Sequence, residues 1–150
     1  MPDEIDTWSR RIKDVEREYH SVRFAVDRTF AHARTDNSIL KNAFTLREIV
    51  RAAEMLESTY IMRLFAEFES AVRLYYQRSR KKRMPSKTED LLNAVASSRG
   101  IPHQQLGNAH RVRIYRNELV HERHRSHEPF DIKIARGYLC HFLSFLPRDW

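Results

Sequence analysis

Glycine and proline are scarce in this chain, 3 and 5 among 150 residues. Hairpins and sheet turns draw on both, so this shortage argues against a β protein and for helices. Cysteine is rarer still. Cys140 stands alone, which excludes an internal disulfide and a Cys-x-x-Cys pair, and in its apolar stretch it reads as a small core residue. No apolar run approaches the roughly 18–20 residues of a membrane span. The opening Met1-Pro-Asp-Glu-Ile-Asp is acidic and lacks an apolar secretory stretch, so a cytoplasmic protein without a membrane partner is expected. A glycine-rich phosphate loop, internal repeats and long low-complexity segments are also missing.

What is present suits one globular domain spanning residues 1–150, with 41% hydrophobic residues. Lys and Arg number 27 against 20 Asp and Glu, a formal charge of +7. That surplus favours a polyanionic partner, with RNA or DNA first.

Periodicity gives the helices. Ile5, Trp8, Ile12, Val15, Tyr19, Val22 and Val26 step by threes and fours, a heptad seam in a first helix from about Asp3 to Ala33. Thr35-Asp36-Asn37-Ser38 is a polar break. A second helix opens at Thr45, with Glu48 completing a capping box, and runs to about Gln77. It is longer than a typical helix, which leaves room for a kink or a break. It has two adjacent apolar rows, Ile49 to Ala71 and Ile61 to Tyr75, as a central helix with several neighbours would. Glu67 falls close to the first row, either as a satisfied partly buried carboxylate or as a group reaching toward a site. Glu69 projects outward.

A short helix from about Glu89 to Ser98, capped by Thr88 or Ser86, is closed by Gly100. Pro102 starts a fourth helix reaching about Arg123 or His124, and Ser126-His127-Glu128-Pro129 breaks it. A last, strongly apolar helix runs from about Asp131 to Leu146 before Pro147. The expected fold is all-α, a four- to five-helix up-and-down bundle.

Two polar features stand out from this scaffold. Arg78, Arg80, Lys81, Lys82 and Arg83 form a basic run at the end of the second helix, suited either to the helix dipole or to a nucleic-acid backbone. The other is the fourth helix, where Val112, Tyr115 and Leu119 project to the core. His110, Ile114, Asn117 and His121 form a stripe opposite, with Arg113 and Arg116 on one flank. Such a face suits a contact or cleft better than bulk water. Arg116 and His121 lie about 140° apart on an ideal helix, so one helix does not stack them. A symmetric dimer across the stripe would bring two copies of the trio together.

Arg116-Asn117-Glu-Leu-Val-His121 has the Arg-x4-His form, with a polar residue directly after the arginine. In this it resembles the HEPN superfamily of helical ribonucleases and toxins. The all-helical size and the motif's place on a late helix followed by one more apolar helix also resemble that family. The resemblance implies a homodimer whose paired motifs form one cleft and metal-independent cleavage of RNA, the ribose 2′-OH attacking its own phosphate to leave a 2′,3′-cyclic phosphate. His121 would move the proton, Arg116 would hold the phosphate, and Asn117 would orient the imidazole or bind a phosphate oxygen. Many relatives resemble toxins or defence effectors silenced by an antitoxin-like inhibitory protein. The other reading is a catalytically inactive HEPN-like module that binds RNA or protein.

Arg113 and the Arg78–Arg83 run are the expected nucleic-acid contacts, and His110 and Glu67 the expected supports. No metal or cofactor is expected. His121, His124 and His127 recur by threes, but His121-Glu-Arg-His124 is one residue short of the H-E-x-x-H zinc pattern.

Overall fold

The computed structural model describes residues 3–40, 45–121 and 131–150. The first helix, α1 (Glu4–Thr35), begins where the Asp3 side chain accepts from the Ile5 N–H at 2.9 Å. Glu4 and Asp6 in its first turn suit the positive end of the helix dipole. Trp8, Ile12, Val15 and Tyr19 of the heptad seam are buried, while Val22 and Val26 are only half-buried. The polar break falls where expected: extended Asp36 ends the helix, its carboxylate accepts from Ser38, and a 3-10 turn follows at Asn37–Leu40.

The second helix, α2 (Leu46–Ser79), has the capping box that Thr45 and Glu48 predict, each side chain accepting from the other's N–H. It runs unbroken for 34 residues, so no break divides it. Ion pairs and ring contacts set its register against α1: Arg78 with Glu4, Glu67 with Arg11, Arg63 with Glu18, Tyr60 with Tyr19. Residue numbers rise on one helix as they fall on the other, so the two are antiparallel.

Three shorter helices complete the bundle: α3 (Thr88–Arg99), α4 (His103–Val120) and α5 (Ile132–Leu143). The α5 helix runs parallel to α2, with Ile132 near Glu57, Phe142 edge-on to Phe68 at 5.3 Å and Trp150 edge-on to Tyr75 at 5.5 Å. It is shorter than its apolar run, because Phe145 and Leu146 fold back in a turn onto Phe142 and Leu143. α2 touches all four other helices, as its two apolar rows require. The core centres on Phe65, Phe68 and Phe142, all fully buried. The described residues are all-α, with no strand, and no helix among them is long and apolar enough to cross a membrane.

The start of α3 departs from expectation. Its N-cap is Lys87, which makes no side-chain cap bond, and neither Thr88 nor Ser86 serves. The Thr88 hydroxyl is drawn instead to Glu69 of α2, at 2.6 Å. Gly100 closes the helix at φ 63°, a left-handed conformation that glycine adopts without a Cβ penalty.

Candidate functional site

The polar face of α4 is built outward from its buried one. Val112 and Tyr115 are buried and Leu119 packs on the core, which fixes the helix's rotation as its sequence predicts. The flank that carries Arg113 and Arg116 is thereby turned toward α2 and the start of α3. There it borders a groove of about 340 Å³. Arg113, Arg116 and Asn117 form one wall, Ser86, Lys87, Thr88 and Glu89 the other, and Phe65 closes the base. A larger hollow, about 510 Å³, lies by the far end of α1 around Arg28 and His32. It gathers fewer charged groups, so the chemistry favours the smaller groove.

Arg116 is held from two sides. Its Nη1 donates to Asn117 Oδ1 at 3.0 Å, and its guanidinium carbon lies 5.9 Å from the Phe65 ring centroid. That distance is at the outer edge of a cation–π contact. Asn117 therefore positions the arginine as it stands, a role not foreseen for it.

Arg113 is fixed more tightly, its side chain only 14% exposed. Its Nε donates to His110 Nδ1 at 3.1 Å, and its Nη2 lies 3.3 Å from Glu89. Because Nδ1 accepts, the neutral His110 ring carries its proton on Nε2, which donates to Asn93 Oδ1 at 2.9 Å. Burial, and then the Arg113 charge, hold His110 below the ordinary histidine value against the pull of Glu89. His110 is thus a support for Arg113 through hydrogen bonding.

Beneath the groove lies a cluster that the sequence pattern does not reveal. Glu69 accepts from Arg73 Nη2 at 2.7 Å, from Arg73 Nε at 3.1 Å and from Thr88 at 2.6 Å. Burial alone would raise its carboxyl, but the Thr88 and Arg73 hydrogen bonds and the charges of Arg73 and Arg116 outweigh it. The result is a carboxylate below its usual range. The expected outward projection of Glu69 fails because α3 packs over that side of α2. A glutamate and an arginine four residues apart on α2, opposite a threonine at the first position of α3, were the available signal.

Glu67, expected near the site as one alternative, faces α1. Its Oε2 lies 2.9 Å from Arg11 Nε, off the N–H axis, since that oxygen has no hydrogen-bond partner. The basic run is not one surface either. Arg78 donates to Glu4 at 2.9 Å and to the Trp150 carbonyl at 3.1 Å, and Arg80 leans over Tyr76. Lys81, Lys82 and Arg83 are exposed.

His121 is exposed and sits one residue beyond α4, as its C-cap, with φ −95° and ψ 7°. Its N–H still bonds the Asn117 carbonyl at 3.1 Å. The motif is therefore not wholly helical, and the 140° separation of an ideal helix does not strictly apply at its last residue. His121 does not line the groove. The helix thus ends short of the expected Arg123 or His124, while the break at Ser126–Pro129, His124 and His127 lie outside the described residues. Among the described residues no three His, Cys, Asp or Glu side chains converge on a metal-sized site.

The arrangement offers a cationic groove with two preset guanidinium groups, Arg113 and Arg116, and, at the end of the same helix, an exposed imidazole. The chain matches no family model, no curated protein and no solved structure.

Proposed function

We propose that this chain is a metal-independent endoribonuclease of the HEPN kind, acting as a homodimer whose site is shared between two copies of α4. One observation carries the reading. Arg116 is preset by Asn117 at 3.0 Å beside a cationic groove, and His121 stands exposed five residues on, at the end of the same helix.

In the reaction, the imidazole of His121 takes the proton of a ribose 2′-OH. The 2′ oxygen attacks the adjacent phosphorus, and the bond from phosphorus to the 5′ oxygen breaks. The leaving oxygen takes a proton from the second copy's histidine or from water. Arg116 holds the phosphate and neutralises charge developing on its oxygens. The products are a 2′,3′-cyclic phosphate and a free 5′-OH, and DNA resists because it lacks the nucleophile. The formal +7 charge supports a polyanionic substrate, with Lys81, Lys82 and Arg83 as outer contacts. Activity of this kind on cytoplasmic RNA is that of a toxin or defence effector, and calls for an antitoxin-like inhibitory partner.

A second reading has an observation in its favour: His121 does not line the groove. On that reading the chain is a HEPN-like module that binds RNA or protein without cutting.

The test is cleavage of single-stranded RNA in excess chelator. The wild type cuts and leaves cyclic phosphate ends, while Arg116→Ala and His121→Ala each abolish cutting with unchanged helicity. Salt-sensitive RNA binding with no cleavage by the wild type would favour the second reading, and full activity in both variants would reject the site.

A further inference from the structure

Arg113 and His121 lie eight residues apart, about 12 Å along the axis of α4. Arg113 is also drawn away from His121, its Nε bonded to His110 one turn toward the start of the helix. A single phosphate cannot touch both groups of one chain. Yet Arg113 is not spent on packing, because its side chain lines the groove and its Nη2 faces Glu89 across it.

Resting on the ribonuclease reading above, we propose that the groove is a second phosphate subsite, taking an RNA phosphodiester neighbouring the one that is cut. When RNA is absent, Glu89 on its wall pairs with Arg113. Among the described groove residues other than Arg116, which holds the phosphate that is cut, Lys87 and Arg113 are cationic and Glu89 alone is anionic, so the lining keeps a surplus of positive charge. Ser86 adds a hydroxyl at its rim. Glu69, the other nearby carboxylate, feels the Arg116 charge but is balanced by its direct ion pair with Arg73.

Glu89 is the replaceable partner of the pair. Its side chain is 55% exposed against 14% for Arg113, and the two meet at 3.3 Å, longer than a tight charge-assisted bond. An incoming phosphate oxygen can take its place at Arg113 while Glu89 swings into water at little cost. Arg113 stays aimed throughout, because His110 and Asn93 hold it from behind. The groove thus sets the register of the strand along α4 and makes Glu89 a competitor of the substrate's own charge.

Equilibrium binding of 2′-O-methyl oligoribonucleotides of one to six residues tests this, because these ligands cannot be cut. Glu89→Gln is expected to tighten binding of the longer oligomers three- to tenfold. Arg113→Gln is expected to weaken it at least fivefold and to lower the salt slope by about 0.7, one single-strand phosphate contact. Arg113→Lys, which keeps the charge and guards against a folding artefact, falls between. None of the three variants is expected to alter binding of the mononucleotide, and a response confined to 5′-phosphorylated ligands, as at an end-binding pocket, would overturn the proposal. Wild-type affinity in both Glu89→Gln and Arg113→Gln would overturn it too. Expected shifts in a protein that never cuts RNA would leave the subsite standing and sink the ribonuclease reading. Cleavage with no shifts would do the reverse.

Discussion

Two cationic regions of this molecule teach opposite lessons. The Arg78–Arg83 run is contiguous in sequence and conspicuous, yet folding divides it. Arg78 anchors to Glu4 and the Trp150 carbonyl, Arg80 lies on Tyr76, and the other three stand in solvent. The groove is the reverse. Arg113 and Arg116 of α4 meet Lys87, the N-cap of α3, at one hollow, and the two arginines are held by named hydrogen bonds. A run of charge supplies long-range attraction that salt screens. Charge that is held in place can recognise a geometry.

The sharpest way to break this comparison is to keep charge and remove shape. Arg116→Lys retains the cation but loses the planar fork that Asn117 orients. RNA cleavage is expected to fall by about 10²–10³, the scale of losing one preorganised donor. Arg83→Lys in the exposed run is expected to leave the cleavage rate unchanged. Equal effects at the two positions, read by single-turnover cleavage, would erase the distinction.

Next in size is the platform under the groove. Thr88→Val removes the hydroxyl that joins α3 to Glu69, leaving a half-buried carboxylate short of one donor. About 1–3 kcal/mol of stability should be lost in urea denaturation. A change at the exposed Ser86 should cost far less. A Thr88→Val protein as stable as the wild type would mean that Arg73 satisfies Glu69 alone.

The smallest expected effect is on pH. His110 is held neutral and below its ordinary value of 6.5, chiefly by burial and then by Arg113. The unfolded chain therefore takes up this proton more readily than the folded one. The contribution to stability is whole above about pH 6.5 and is lost as pH falls through the lower folded value. His110→Gln retains an acceptor for Arg113 and cannot titrate, so its stability should be flatter than the wild type's just below pH 6.5. Identical slopes in thermal melts at several pH values would remove His110 from this account.

The fold was legible wherever information is local or periodic. The heptad seam of α1, the Thr45–Glu48 capping box and Gly100 each determine their own neighbourhood. The rotation of α4 also followed from Val112, Tyr115 and Leu119. Pairing across helices was not legible. Thr88 reads as a cap because threonine before a helix usually is one, but Glu69 offers it a charged acceptor at 2.6 Å. Glu69 reads as exposed because nothing local shows that α3 will cover it. Glu67 could face either side, and only the approach of Arg11 shows which. In the candidate site Arg116, Asn117, Arg113 and His110 were found from the helix alone. Glu89, Lys87 and Asn93 were not, because α3 meets α4 only in the folded chain.

The central claim is that α4 carries half of a site, and mixing two inactive proteins tests it most directly. Arg116→Ala and His121→Ala chains are co-refolded, so that about half of the dimers are mixed. In a mixed dimer one site combines the intact Arg116 of one copy with the intact His121 of the other. RNA cleavage should then return to at most about half of the wild-type rate, since half of the dimers carry one intact Arg116 and one intact His121 in the shared cleft. Cleavage no higher than in either variant alone, with mixed dimers demonstrably formed, would contradict the shared site.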